Sequence, residues 1–138
     1  MISLSTLFRL FGGRCFYCNC ETWLPMAASR AKMKRRFGIA TNAPGSAKAM
    51  EYRRATREHV VRVADGGTNG WRNLVLCCRF CNESRGTTPS DEYKAVVAAA
   101  IQAGLHPNHG APLALPKKAL RRARREIGMY GPEASHAN

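Results

Sequence analysis

Residues 55–86, the most informative stretch for predicting the fold, read ATREHVVRVADGGTNGWRNLVLCCRFCNESRG. A threonine and three valines after Ala55 predict a strand that extends to Val63. The run DGGTNG at residues 65–70 is typical of a turn. A second short β segment, at residues 73–76, then leads directly into a Cys-x-x-Cys pair. The stretch therefore predicts two short strands, a turn between them and a cysteine pair after the second strand.

Another Cys-x-x-Cys pair stands near the N-terminus, so the six cysteines fall into two clusters, at positions 15, 18 and 20 and at positions 77, 78 and 81. Two residues between thiolates allow one tight turn, a knuckle, to direct both sulfur atoms at one point. The pairs Cys15–Cys18 and Cys78–Cys81 together predict a Zn²⁺ site of four sulfur atoms, which would add stability to a small core. A redox pair or free buried thiols are the alternative interpretation. Cys20 and Cys77 would also be able to compete as ligands, but their spacing favours small buried residues.

The chain has 138 residues, a formal net charge of +13 and an isoelectric point near 10.2. This length is typical of one domain, which buries about two-thirds of the surface that its unfolded chain exposes. The positive charge indicates a polyanionic partner, foremost nucleic acid, although a solvated basic surface is the alternative. The apolar runs are too short to span a bilayer. Residues 1–11 lack the basic region and cleavage site of a signal peptide, so we expect a reducing cytoplasm.

Helical patterns flank the central stretch on both sides. They cover residues 2–11, 27–37, 88–103 and 117–127. Thr88 is the expected N-cap of the third helix, with Pro89 at its first position. Segments 38–48 and 105–116 contain Gly and Pro and are expected to be loops. No role in a site is expected for three histidines in loop or tail segments, namely His106, His109 and His136.

The order and spacing of these motifs resemble the HNH nuclease family in its form supported by zinc knuckles. The features that carry the resemblance are Glu58-His59, Gly66-Gly67, Asn73-Leu74-Val75-Leu76 and Cys78-Arg79-Phe80-Cys81-Asn82. It covers roughly residues 4–87 and implies an α+β fold: a small ββα-metal core, the His-Me finger, held by a four-cysteine zinc site and flanked by helices. We assign residues 1–104 to a nuclease domain, with its motif core at 55–87, and residues 105–138 to a basic helical C-terminal extension.

The resemblance makes His59 the general base of phosphodiester hydrolysis. An imidazole is suited to accepting a proton from water near pH 7, and His59 is the histidine flanked by a carboxylate and β-branched residues. The alternative is a packed structural histidine. The motif match also implies that Asn73 fastens the long turn to the backbone and orients His59. Arg85 is expected to steady the scissile phosphate or the leaving oxygen, with an ordinary surface arginine as the alternative.

Glu58 and Asn82 are the ligands that the resemblance implies for a divalent ion, Mg²⁺ or Mn²⁺. Three features depart from the family: Glu58 stands where Asp or His is commoner, Asn82 where His is common, and Arg62 where Pro is frequent. Adjacent strand residues point to opposite faces. For Glu58 and His59 to reach one metal, we therefore expect a bend or bulge, or a metal at the hairpin edge. The alternative for Glu58 is a surface carboxylate.

Two basic segments and Arg62 are expected to contact DNA phosphates, with a solvated helix face as the alternative. The segments comprise Arg30, Lys32, Lys34, Arg35 and Arg36, and Lys117, Lys118, Arg121, Arg122, Arg124 and Arg125. The leading hypothesis is a metal-dependent DNA endonuclease. One alternative is a zinc-stabilised DNA-binding module with weak catalysis. Another is a nuclease subunit of a phage packaging or homing system, in the cytoplasm of a bacterial or phage-infected cell, with a terminase or other phage or host protein as partner.

Overall fold

The computed structural model describes residues 1–110 and 117–129. Its six helices within that part of the chain are α1 (Leu4–Leu10), α2 (Arg30–Phe37), α3 (Ser46–Tyr52), α4 (Arg79–Arg85), α5 (Ser90–Gln102) and α6 (Lys117–Glu126). Its two strands are β1 (Ala55–His59) and β2 (Leu74–Cys78). Short 3₁₀ turns cover Val63–Asp65, Trp71–Asn73 and Pro107–His109. No helix in the described residues is long and apolar enough to cross a membrane.

The two strands form an antiparallel hairpin, and α4 follows β2 directly. The register runs without interruption from Ala55 opposite Cys78 to His59 opposite Leu74. Every residue of β2 is buried because α1 and α4 both contact the hairpin. This ββα arrangement confirms the predicted α+β fold. No bulge interrupts the pairing of the two strands, so the expected bulge at Glu58–His59 is not how the two side chains are placed.

Several element boundaries differ from those predicted. β1 ends at His59 and not at Val63, because the chain after His59 turns into the loop that Asn73 fastens. α3 begins at Ser46, inside the predicted loop of residues 38–48. The helix predicted from residue 88 begins at Ser90 with Pro89 as its N-cap, so Thr88 does not cap it.

The core consists of three groups of buried side chains. The largest surrounds the six cysteines and includes Phe80, Tyr93 and Val97 from α4 and α5. A second group joins Leu7 of α1 to Leu76 of β2. The third contains Trp23, Met33 and Met50, and it packs α2 and α3 together. The hairpin thus lies between a helix on one side and the cysteine-rich core on the other.

Residues beyond 104 pack onto this core. Asn108 donates from Nδ2 to the carbonyl oxygen of Tyr52 at 2.8 Å, and Arg124 donates from Nε to that of Leu105 at 2.9 Å. His106 is fully buried against Phe80. The division at residue 104 stays a prediction. Part of the loop predicted at 105–116 and part of the predicted C-terminal extension, including His136, lie outside the described residues.

Candidate functional site

Four cysteines meet between the N-terminal segment and the start of α4. The sulfur atoms of Cys15, Cys18, Cys78 and Cys81 all lie within 4.8 Å of one another, and all four residues are buried. Cys18 Sγ and Cys78 Sγ are 3.8 Å apart. Zinc–sulfur bonds of about 2.3 Å in a tetrahedron would place sulfur atoms about 3.8 Å apart. The donor set and its spacing therefore fit a closed structural zinc site.

Burial disfavours free thiolates in this cluster. It raises the pKa of the Cys78 and Cys81 thiols well above their ordinary value, because a lone buried thiolate is poorly solvated. A zinc ion among the four sulfurs would instead favour the thiolates. The other two cysteines, Cys20 and Cys77, are also buried but stand outside the four-sulfur set. This agrees with the prediction that they are small buried residues.

Each knuckle is built by local backbone geometry. In the first, Asn19 has a positive φ of 61°, and its backbone N–H donates to the Cys15 carbonyl oxygen at 2.9 Å. The backbone N–H of Cys15 donates to the Cys20 carbonyl oxygen at 3.0 Å. In the second, Cys78 is the N-cap of α4, and its sulfur accepts from the backbone N–H of Cys81 at 3.4 Å. The second knuckle is therefore the start of the helix that follows β2.

α4 places the Asn82 side chain against β1, at Thr56 and at the backbone of Arg57, the residue before Glu58. Thr56 and Glu58 are two residues apart on β1 and project from the same face. Asn82 donates from Nδ2 to Thr56 Oγ1 at 3.0 Å and to the Arg57 carbonyl oxygen at 3.1 Å. Because both of these hydrogen bonds use Nδ2, Oδ1 is the atom of Asn82 available to a cation. A carboxylate and an amide oxygen are ligands that Mg²⁺ and Mn²⁺ accept.

The carboxylate of Glu58 lies in a partly buried and charged environment. Its Oε1 accepts a hydrogen bond from the His59 backbone N–H at 3.0 Å and lies 3.8 Å from the Arg85 guanidinium. Burial raises the pKa of Glu58, and Arg85 and the His59 amide offset part of that rise. A bound divalent cation would lower the pKa of Glu58. Glu58 is thus not the ordinary surface carboxylate of the alternative interpretation.

The imidazole of His59 is directed at the loop between the strands. Its Nε2 lies 2.9 Å from Oδ1 of Asn69. Asn69 stands inside the DGGTNG run, whose composition predicted only a turn. The contact with His59 is therefore a feature that the sequence interpretation missed, and the one signal for it was an amide side chain near the histidine.

Asn73 fastens the same loop, as predicted. Its Oδ1 accepts from the Val61 backbone N–H at 2.9 Å, and its Nδ2 donates to the carbonyl oxygens of Val61 and Thr68 at 2.9 and 2.8 Å. A Cβ atom at Gly67 would lie 1.8 Å from the Val61 carbonyl oxygen, so glycine is required for this close approach. The loop that carries Asn69 is therefore tied to the end of β1.

Arg85 is not placed to make the phosphate contact that the sequence predicted for it. Its side chain is 2% exposed, and its guanidinium donates to the carbonyl oxygens of His59 at 2.5 Å, Val60 at 2.6 Å and Thr88 at 2.9 Å. It also lies over the ring of Tyr17. These contacts connect α4 to the backbone that carries His59.

The basic residues expected to bind DNA differ in exposure and in pairing. Exposed ones are Lys32, Arg35, Arg36, Lys118, Arg122 and Arg125, while Lys34 and Arg121 are half-buried. Ion pairs join Arg30 to Glu51, Arg36 to Glu21, and Arg62 to Asp65, the last at 3.5 Å. Arg124 departs from the expectation of an exposed arm, because it is 8% exposed and lies over the Phe80 ring. The side chain of Lys117 lies outside the described part of the structure.

His106 also differs from its prediction as a residue without a role. It is 0% exposed, and its Nε2 lies 3.2 Å from Cys81 Sγ. Cys18, His106 and His109 form a second group of potential metal ligands. His106 and Cys81 are 25 residues apart in the sequence, so no local spacing signalled this contact.

A comparison with known proteins shows what the central segment is similar to. The family model of the HNH endonuclease matches residues 47–94. No curated protein and no solved structure matches the chain. The matched segment contains both strands, α4, His59, Asn82 and the second knuckle, whereas the first knuckle reaches the metal cluster from outside it. The resemblance inferred from the motifs is thereby confirmed over residues 47–94, the segment that is similar to the HNH endonuclease family.

Proposed function

We propose that this protein is a metal-dependent endonuclease that hydrolyses DNA phosphodiester bonds, with His59 as the general base. The observation that carries the proposal is the end of the hairpin. There Asn69 holds the His59 imidazole at one nitrogen, and Asn82 contacts β1 at Thr56 and Arg57, next to Glu58 in the sequence. This supplies a base and an oxygen ligand pair within one small, family-matched motif.

The contact with Asn69 determines which nitrogen of His59 would act. A side-chain amide oxygen only accepts hydrogen bonds, so the proton of the neutral ring resides on Nε2. Nδ1 is then the atom free to accept a proton from water. Asn69 would thus select the reactive tautomer, and Asn73 would support it by holding the loop in place.

Glu58 and Asn82 are the proposed ligands of Mg²⁺ or Mn²⁺, and the four thiolates are those of Zn²⁺. Bound to Glu58 and Asn82, a divalent ion would supply positive charge to the phosphate as negative charge develops on it. Asn82 directly follows Cys81, so the zinc centre would also hold a catalytic ligand in position. Arg85 would act as a positioning residue, because its donors bind the His59 and Val60 carbonyls.

The proposed substrate is DNA, and the exposed basic residues of α2 and α6 are the proposed phosphate contacts. The formal charge of +13 gives the association a strong dependence on salt. The side chains described near His59 form no pattern for reading bases, so contacts to phosphate would dominate affinity.

A plasmid nicking assay tests this function. The zinc-loaded protein should convert supercoiled plasmid to nicked or linear DNA with Mg²⁺ or Mn²⁺, and His59→Ala should remove that activity while retaining zinc. Glu58→Gln should raise the divalent-ion concentration needed for half-maximal rate. Glu92→Gln, an exposed carboxylate on α5, is the matched control and should behave like the parent. Cleavage by His59→Ala at the parent rate would show that another group is the base.

A second candidate function is DNA binding without cleavage, and the surroundings of Glu58 favour it. Oε1 of the carboxylate already contacts the His59 amide and Arg85, and both compete with a cation for that oxygen. This candidate predicts salt-sensitive DNA binding and no nicking with any divalent ion. A binding isotherm measured beside the nicking assay separates the two functions.

The proposal includes the cellular system in which the nuclease would act. A nuclease subunit of a phage packaging or homing system, in a bacterial or phage-infected cytoplasm, would use such a compact domain together with a larger partner. Retention of a terminase subunit on the immobilised, zinc-loaded protein would support the packaging role, and its absence would oppose it.

A further inference from the structure

The segment after α5 places one histidine ring against the four-cysteine cluster. His106 is 0% exposed, and its ring packs edge-on against Phe80, with the ring centroids 4.9 Å apart. Its Nε2 atom lies 3.2 Å from the sulfur of Cys81. This distance is that of a hydrogen bond between a ring nitrogen and sulfur.

The other ring nitrogen determines the direction of this hydrogen bond. Nδ1 of His106 accepts from the backbone N–H of Asn108 at 3.1 Å. A backbone N–H only donates, so Nδ1 carries no proton and the proton of the ring resides on Nε2. The Nε2–H group therefore points at Cys81 Sγ as a donor.

The backbone around His106 is held so that this geometry is kept. Asn108 donates from Nδ2 to the Tyr52 carbonyl oxygen at 2.8 Å, and its own carbonyl oxygen accepts from Arg53 at 3.1 Å. The Leu105 carbonyl oxygen accepts from Arg124 Nε at 2.9 Å. Contacts from both sides of the turn thus fix the backbone that carries the imidazole.

We propose that His106 belongs to the zinc centre without being a ligand, and that its Nε2–H donates a hydrogen bond to the Cys81 thiolate. Four thiolates around one Zn²⁺ carry a net charge of −2 in a fully buried place, and a directed N–H donor stabilises such charge. Cys81 is also the residue before Asn82, so the donor would hold the end of the knuckle next to the proposed catalytic ligand.

Direct ligation is the competing role for His106, since it forms a group of potential ligands with Cys18 and His109. The four sulfurs already complete a tetrahedron, so a nitrogen ligand would have to replace one of them. Co²⁺ substitution distinguishes the two roles, because its ligand-field bands differ between four sulfurs and three sulfurs with one nitrogen.

The test compares two substitutions at one position with a matched control. His106→Phe keeps an aromatic ring but removes the donor, and His106→Gln supplies a side-chain N–H. His109→Phe is the control, because His109 Nε2 is buried without a hydrogen-bond partner among the described residues. Zinc affinity is measured on the full chain by competition with a chromogenic chelator, and the Co²⁺ form is examined by absorption spectroscopy.

We expect His106→Phe to weaken zinc binding roughly 10- to 100-fold, as the loss of an outer hydrogen bond typically does. His106→Gln should recover part of the loss, and His109→Phe should match the parent. The Co²⁺ spectrum of His106→Phe should keep the four-sulfur ligand-field pattern, while its sulfur-to-metal charge-transfer band moves to lower energy.

The proposal rests on the zinc centre, and the same measurements separate the two failures. A parent chain that binds no zinc would overturn both the centre and the role of His106. Parent-like affinity in His106→Phe, or equal losses in His106→Phe and His109→Phe, would overturn the hydrogen bond alone. A change of the Co²⁺ ligand-field pattern in His106→Phe would show direct ligation instead.

Discussion

His59 Nε2 lies 2.9 Å from Asn69 Oδ1, across a loop whose two ends are the two strands of the hairpin. The two residues are ten positions apart, and the loop between them is tied down by Asn73 and by the close approach of Gly67 to Val61. The relationship means that the orientation of the proposed base depends on the loop and not on the strand alone.

Replacement of Asn69 by Ala should lower the cleavage rate without loss of zinc. The imidazole would lose the acceptor that selects its tautomer, and we expect a decrease of roughly 10- to 100-fold, smaller than the about 10²- to 10⁴-fold typical of the base itself. Single-turnover nicking with saturating divalent ion measures it. Thr68→Ala is the neighbouring control, since its hydroxyl accepts from the Gly70 backbone N–H at 3.3 Å and not from the imidazole. Equal rates for Asn69→Ala and the parent would contradict the tautomer argument.

Replacement of Arg85 by Met should destabilise the fold as well as the site. The buried guanidinium donates to three carbonyl oxygens and faces Glu58, and removing it leaves buried acceptors and a charge without a partner. We expect the free energy of unfolding to fall by about 3–5 kcal/mol. Chemical denaturation of the zinc-loaded protein measures the change.

Two further variants sharpen that measurement. Arg85→Lys should recover little, because an ammonium group cannot reach several carbonyls in the planar arrangement of a guanidinium. Arg35→Met, at an exposed position of α2, should change the free energy of unfolding by no more than about 0.5 kcal/mol. A parent-like stability of Arg85→Met would show that the three hydrogen bonds contribute nothing net.

Cysteine replacements should divide the six thiols into ligands and packing residues. Cys81→Ala should lose the stoichiometric zinc and, with it, cooperative unfolding, because the metal connects residues near the N-terminus to the start of α4. Cys20→Ala should keep one zinc per chain, because Cys20 stands outside the four-sulfur set. Metal analysis and circular dichroism are the measurements. Loss of zinc in Cys20→Ala would place Cys20 among the ligands.

Arginines of α6 that differ in burial should have different effects when replaced. Arg122 and Arg125 are exposed, and their joint replacement by Ala should weaken DNA binding and flatten the slope of log affinity against log salt by about 2. Arg124 is 8% exposed and donates to Leu105, so Arg124→Ala should lower the melting temperature instead. Binding at several salt concentrations and thermal unfolding test the two variants. An unchanged salt slope in the double variant would remove α6 from the DNA surface.

The local parts of the site were predictable from the sequence. Two residues between cysteines suffice to form a knuckle, and β-branched residues on either side of a Gly-rich run suffice to indicate a hairpin, because both depend on backbone preferences over a few positions. The Asn73 contact to the loop followed from the family spacing. The end of β1 did not follow from the sequence, because it depends on the hydrogen bonds of Asn73 with Val61, twelve residues away.

The roles of three side chains depended on packing that no local spacing contains. In the sequence, Asn69 is only part of a predicted turn; in the structure, the loop brings it to His59. The sequence predicted that Arg85 contacts phosphate. In the structure α4 packs against β1, and the guanidinium donates to backbone carbonyl oxygens instead. The sequence predicted that His106 is a loop residue without a role. In the structure the turn after α5 places its Nε2 3.2 Å from Cys81 Sγ. The chemical groups present and the short turns they form follow from the sequence. Which partner each group faces depends on tertiary packing, because hydrogen-bond partners distant in sequence are brought together only when the core is packed.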